Sequence, residues 1–257
     1  MKDIIKQLIR SLGYTLSRIP SNIPAVEEDI LTINDKTNKF QYEIINLHRY
    51  APWLTDEKFQ QTYTKIKDYT LVDQYRCYEL FDFVKRIENI EGDIIEIGVW
   101  RGGTSAIMAA ALQSVNSKKT IFLCDTFSGV VKAGEFDIRY KGGEHSDTSD
   151  QLVKDLLSSL QLKNFSLLKG IFPEQTGSAV ESNTFSLCHI DVDVYQSAVD
   201  IIAWIYPRLS KGGALIFDDY GFRGCNGITY LVNELRMEVD KWLYLYNLNG
   251  HAILIKR

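Results

Sequence analysis

Between residues 93 and 217 short apolar runs alternate with segments of helical period, and nothing in the chain constrains its fold more. DIIEIGV, TIFLCD, FSLLKG, FSLCHID and ALIFDD read as strands, while GTSAIMAAALQSV, SDQLVKDLLSSL and YQSAVDIIAWIYPRL read as helices. Several of the strands are unbroken apolar runs, the pattern of central parallel strands covered on both faces. The end differs, because WLYLYNL and HAILIKR are separated only by Asn249 and Gly250, a hairpin-type connection. The expected fold is α/β, a mostly parallel doubly wound sheet with an antiparallel carboxyl-terminal hairpin.

Upstream, a helical period runs from Leu71 to Ile90 and Gly92 stops it before the first strand. Residues 21 to about 70, which follow Pro20 and carry Pro24 and Pro52, show no clean period, which reads as an irregular arm with short helices. In the first twenty residues Ile4, Ile5, Leu8, Ile9 and Leu12 fall at helical spacing, with Lys2, Lys6 and Arg10 on another face. Such a basic amphipathic helix, residues 1–18, can make peripheral contact with an anionic membrane, or pack on the main domain or a partner subunit. The chain thus divides into residues 1–70, helix and arm, and residues 71–257, the main domain, with a homodimer expected through the arm.

A net charge of -4 argues against a nucleic-acid binder, which needs a basic surface. No apolar segment approaches the eighteen or so residues that span a bilayer, and the first residues lack a signal peptide's apolar region and cleavage site, so a cytoplasmic location is expected. Cys77, Cys124, Cys188 and Cys225 are far apart and form no CxxC pair, as reduced core residues would.

The strand ends carry the chemistry. EIGVWRGGTS, residues 96–105, joins the first strand to its helix with Gly98, Gly102 and Gly103 in the turn, a geometry that brings backbone close to a ligand. Its spacing is not the GxGxxG dinucleotide fingerprint, and a merely tight turn is the alternative. Asp125 in LCDTFSG ends the next strand, where a nucleoside ribose would lie. HIDVDVYQS then holds Asp191 and Asp193, and ALIFDDY holds Asp218 and Asp219. On a regular strand residues i and i+2 share a face about 6.7 Å apart. Like charges 4 Å apart repel by about 4 kcal/mol at an effective dielectric of 20, so converging carboxylates require a cation, a proton or separation. An all-oxygen cluster selects a hard cation such as Mg²⁺, the alternative being solvated strand-end aspartates. His189 reads as a hydrogen-bonded core histidine. His145, in the polar stretch KGGEHSDTSD that could serve as a mobile lid, is a reserve general base.

With the glycine turn, DTFSG, DVDVYQS and FDDYG in this order, the sequence resembles the macrocin O-methyltransferase family from about Asp68 onward. The resemblance implies a Rossmann-like class I methyltransferase fold, S-adenosylmethionine as donor, and methylation of a hydroxyl on a sugar or glycosylated metabolite. It also implies that Glu96, Gly98, Gly102, Thr104 and Ser105 hold the methionine portion of the donor, Asp125 its ribose, and Gly170, Ile171 and Phe172 its adenine. Asp191, Asp218 and Asp219 would ligate Mg²⁺, and Asp193 would be the general base. Two departures from the family's pattern are Gln196, where Glu is frequent, and GCNGIT at residues 224–229. The second lies near the expected acceptor pocket. A glycosyltransferase using DVD as its Asp-x-Asp metal motif, and a non-catalytic binding or scaffold protein of the same fold, are the competing readings.

Overall fold

In the computed structural model, which describes residues 50–257, each apolar run is a strand: β1 (Asp93–Ile97), β2 (Ile121–Asp125), β3 (Phe165–Lys169), β4 (Phe185–Ile190), β5 (Leu209–Phe217), β6 (Trp242–Tyr246) and β7 (Ala252–Lys256). They form one sheet in the order β3-β2-β1-β4-β5-β7-β6. The first five pair in parallel, and β7 runs antiparallel to both β5 and β6. The expected α/β architecture with its antiparallel hairpin is therefore present.

Among the described residues six α-helices cover the sheet: α1 (Glu57–Ile66), α2 (Gln74–Arg86), α3 (Gly103–Ser114), α4 (Asp150–Ser159), α5 (Tyr195–Ile205) and α6 (Asn226–Leu235). The helix expected over 71–90 begins only at Gln74, because the Asp73 carboxylate accepts from the amides of Tyr75 and Arg76 at 2.8 and 3.1 Å and caps it there. Ser149 caps α4 in the same way.

Apolar runs are continuous because both faces are covered. Ile94, Leu123, Leu187 and Ile216 face a layer built with α1 to α4, while Ile95, Cys124, Cys188 and Leu215, one residue along on the same strands, face a layer built with α5 and α6. Phe59 and Ile66 of α1 are fully buried in the first layer, so residues 57–66 of the expected arm form an ordered helix within the core. Removing a ring like that of Phe59 typically costs about 3–5 kcal/mol. All described residues fall within one compact unit, Ile44–Arg257. The amphipathic segment 1–18 lies outside the described residues, among which no helix is long and apolar enough to cross a membrane. The four cysteines are free and buried.

Strand order reverses between β1 and β4, which places the carboxyl ends of β1, β2, β4 and β5 around one crevice.

Candidate active site

A cavity of about 340 Å³ opens at that crevice. One end is lined by Gly98, Val99 and Trp100 after β1, Asp125 at the end of β2, and Gly170 and Phe172 after β3. The other end is lined by Asp191 and Asp193 after β4 and by Asp218 and Asp219 after β5.

The glycine turn is set by close backbone packing. Gly98 sits at φ +91°, and a Cβ there would lie 1.6 Å from the Asp191 carbonyl oxygen, so only glycine lets the β1 and β4 loops meet. Trp100 follows at φ +47°. Asp125 holds this turn: its Oδ2 accepts from the amides of Val99 and Trp100, both at 2.8 Å, and its Oδ1 from Phe127 at 2.6 Å. Oδ1, which accepts from Phe127 alone, has a second lone pair, so capacity to accept a hydroxyl remains there.

Thr104 lines the cavity, but Glu96, Gly102, Ser105 and Ile171 are not among its lining residues. Glu96 is fully buried, with one oxygen accepting from the Ser105 hydroxyl and the other 3.0 Å from Nδ1 of His189. It braces the turn from within the protein. Gly102 instead packs against the Val153 side chain. His189 is the buried, hydrogen-bonded core residue expected, although its Nε2 finds no hydrogen-bond partner among the described residues.

The acids converge because the parallel ladders run one residue past the strands. The Asp191 amide donates to the Ile97 carbonyl at 2.9 Å and the Asp218 amide to the Ile190 carbonyl at 3.0 Å. Asp191 and Asp193 do not share a strand face as expected, since β4 ends at Ile190 and Asp193 lies in a left-handed turn at φ +64°. Aspartate tolerates that conformation better than most residues. The turn folds Asp193 back so that its own amide donates to Asp219 Oδ2 at 3.1 Å.

Asp191, Asp218 and Asp219 each offer an oxygen, and the three lie within 4.8 Å of one another. Burial, and then the charges of the neighbouring aspartates, raise Asp191 and Asp219 well above the usual carboxylate range. Negative charge in excess of local positive charge is what a divalent cation relieves, and three hard oxygen donors fit Mg²⁺. Asp218 behaves differently. Burial opposes its ionisation, but the bond from His251 and the charge of Arg76 outweigh it and pull its pKa down. Nε2 of His251 lies 3.0 Å from Asp218 Oδ1, and the Arg76 guanidinium bonds both the carboxylate and the backbone carbonyl of Asp218.

Behind this cluster, Glu79 ties the β6–β7 turn to α2. It accepts from Nδ1 of His251 at 2.5 Å and from the amide groups of Asn247 and Asn249. Burial would raise Glu79, but these bonds outweigh it and lower its pKa from an ordinary 4.5, while the same carboxylate and Asp218 outweigh the burial of His251 and raise it from 6.5. The Glu79 contribution is present above pH 4.5 and fades as pH falls through its depressed pKa. The His251 contribution is present below pH 6.5 and fades as pH rises through its elevated pKa. Glu79→Gln is expected to cost about 2 kcal/mol of stability between these limits. Denaturant melts across pH should show the gap closing on both sides.

Beside the acids the Tyr140 hydroxyl donates to Asp193 Oδ1 at 2.5 Å, and His145 Nε2 stands 3.9 Å from Asp193 Oδ2. Burial raises the Asp193 pKa, and the Tyr140 and His145 interactions temper the shift. The stretch read as a lid is tethered to the glycine turn: Asp147 accepts from the Trp100 indole at 2.9 Å and from Arg101 at 2.5 Å. Sequence reasoning missed Arg76, Tyr140, Cys225 and the cavity-lining Arg139 and Arg223. Only Arg76 had a local signal, its place in the first turn of a capped helix.

The macrocin-O-methyltransferase (TylF) family model matches residues 30–240. The chain belongs to the macrocin O-methyltransferase family. All four acids and the glycine turn of this family member fall inside the match. It is 30% identical over 164 residues to the demethyldecarbamoylnovobiocin O-methyltransferase of Streptomyces niveus, covering 59% of this chain and 61% of that one. It is 29% identical over 151 residues to the mycinamicin III 3''-O-methyltransferase of Micromonospora griseorubida, covering 54% and 59%. The chain thus spans about three-fifths of the length of these relatives. Among solved structures the O-methyltransferase NovP superposes with a TM-score of 0.62 at 25% identity, over 74% of this chain and 82% of its own. The calicheamicin methyltransferase CalS11 superposes with a TM-score of 0.60 at 18% identity, over 83% and 98%, a likeness of fold.

Proposed function

We propose that this macrocin O-methyltransferase family member transfers a methyl group from S-adenosylmethionine to a hydroxyl of a sugar or glycosylated metabolite, with Mg²⁺ held by Asp191, Asp218 and Asp219. The observation that carries the reading is the convergence of those three carboxylates at one end of a cavity whose other end is the glycine turn. Similarity to enzymes named for O-methylation of glycosylated antibiotics supports it.

Gly98, Thr104, Asp125, Gly170 and Phe172 would seat the donor, while Glu96 and Ser105 would serve by holding the turn rather than by touching the ligand. An alcohol with a pKa in the mid-teens is a poor nucleophile, and a carboxylate alone cannot take its proton. Mg²⁺, when bound, would acidify and anchor the acceptor hydroxyl. Asp193 would then accept the proton at Oδ2, the oxygen that Tyr140 leaves open, as the hydroxyl oxygen attacks the methyl group. Burial favours that step by making Asp193 a stronger base than an exposed aspartate. His145, close to the same oxygen, would pass the proton toward solvent.

Calorimetry is expected to show donor binding, and turnover on sugar acceptors should vanish in EDTA and return with Mg²⁺. Undiminished turnover in EDTA would remove the metal from the reading. The glycosyltransferase alternative raised by DVD loses its footing with family membership, and a nucleotide sugar as donor, with no affinity for S-adenosylmethionine, would be needed to restore it.

A further inference from the structure

We propose a second cation site, formed by Nε2 of His189, Oδ1 of Asp218 and Nε2 of His251, that takes a borderline transition ion such as Zn²⁺ rather than Mg²⁺. Each of the three residues offers one ligand atom, and these atoms lie within 4.8 Å of one another. His251 Nε2 is 3.0 Å and His189 Nε2 3.9 Å from the same Asp218 oxygen. Bonds of about 2.0–2.1 Å to a four-coordinate ion set neighbouring ligand atoms about 3.3 Å apart, between those two separations.

The observation that calls for a ligand is an orphaned nitrogen. His189 is fully buried, its Nδ1 is taken by Glu96 at 3.0 Å, and its Nε2 has no hydrogen-bond partner among the described residues. A buried polar atom left unpaired costs about 1–3 kcal/mol. Here it faces a carboxylate oxygen too distant for a hydrogen bond, and an ion between them would engage both. His251 repeats the arrangement, with Nδ1 held by Glu79 at 2.5 Å and Nε2 turned to Asp218. A carboxylate behind Nδ1 is what fixes the tautomer and ring orientation of metal-binding histidines.

The sheet holds these groups in place. His189 pairs in register with Glu96 on β1 and with Ile216 on β5, two residues before Asp218. Ile216 pairs in turn with Ile253 on β7, two residues after His251. Arg76 bonds the other oxygen of Asp218, which leaves Oδ1 to the histidines. Glu79, Glu96 and Asp218 bring three carboxylates against that one guanidinium, so an added cation is accommodated. Asp218 lines the cavity, which gives the ion its way in.

Two imidazoles and a carboxylate suit zinc and its neighbours, whereas Mg²⁺ requires oxygen. Asp218 belongs to both sets. On the Mg²⁺ reading proposed above, Zn²⁺ in the histidine set withdraws a ligand from Mg²⁺ and inhibits turnover instead of supporting it.

The test titrates Co²⁺, a spectroscopic substitute for Zn²⁺, into the whole chain after EDTA treatment and desalting. Wild type is expected to develop the intense visible bands of a four- or five-coordinate ion at one equivalent, and to keep them in excess Mg²⁺. Asp191→Asn should retain the bands, while His189→Gln and His251→Gln should each weaken Co²⁺ binding at least about tenfold. Should the histidine variants fail to fold, imidazole NMR of the wild type decides: one equivalent of Zn²⁺ should shift His189 and His251, two of the four histidines, and leave His145 in place. A weak octahedral spectrum, displacement of Co²⁺ by Mg²⁺, bands retained in both histidine variants, or unmoved His189 and His251 signals overturns the site. None of these readouts depends on turnover, so a failure of methyl transfer would be told apart from a failure of the site.

Discussion

Asp193→Asn is expected to bind S-adenosylmethionine as tightly as the wild type and to lose between about 10² and 10⁴ of its rate, the range for removing a general base. The substitution is nearly isosteric, and the amide can still accept from Tyr140, so the wall of the site should keep its shape. What disappears is the ability to take a proton beside Asp219 and the acceptor hydroxyl. Rapid-quench turnover with and without Mg²⁺ separates this from a metal defect, because Asp191→Asn should fail to respond to added Mg²⁺ while Asp193→Asn should still bind it. If Asp193→Asn turns over normally, the base lies elsewhere, and His145→Ala becomes the informative variant.

Gly98→Ala is expected to yield little folded protein. Its Cβ would be placed 1.6 Å from a backbone oxygen, and no rotamer change can move a Cβ. Either the β1–β4 ladder opens at Asp191 or the turn abandons φ +91°, and each route dismantles the site. Gly221 provides the contrast: it too has positive φ, +85°, but no atom lies within 4 Å of its would-be Cβ. Gly221→Ala should cost only the conformational penalty, about 1–2 kcal/mol. Thermal melts of the two variants would show a small shift for Gly221 and loss of the cooperative transition for Gly98. Equal shifts would mean that the contact between the two loops yields easily.

Much of the frame is legible in the sequence because strand runs such as IFLCD and FSLCHI are buried on both faces, and burial is what makes them apolar. Helix α6 was not legible. It starts in GCNGIT, whose two glycines read as loop, and its apolar residues Ile228, Leu231, Val232 and Leu235 acquire meaning only when packed on the sheet. The acids were found because they interrupt apolar runs, but their arrangement was not. The left-handed turn at Asp193 leaves no mark on residue spacing, and the partners of Asp218 lie 142 and 33 residues away, in Arg76 and His251. Glu96, assigned to the donor by resemblance alone, is fully buried and bonded to Ser105 and His189, partners that its place in the sequence does not reveal.

The reversal of strand order between β1 and β4 brings together two loops that are about ninety positions apart along the chain. Everything proposed to seat the donor follows β1, β2 and β3, and everything proposed to handle the acceptor follows β4 and β5 or comes from the stretch 139–145 laid across them. The two sides of the crevice are therefore drawn from distant passages that are knit together where Gly98 lies against the Asp191 carbonyl and the Asp191 amide donates to Ile97. A change at that seam reaches both sides of the crevice at once. Under the proposed function, a change of acceptor would therefore fall on residues away from the seam, where the donor side is left undisturbed.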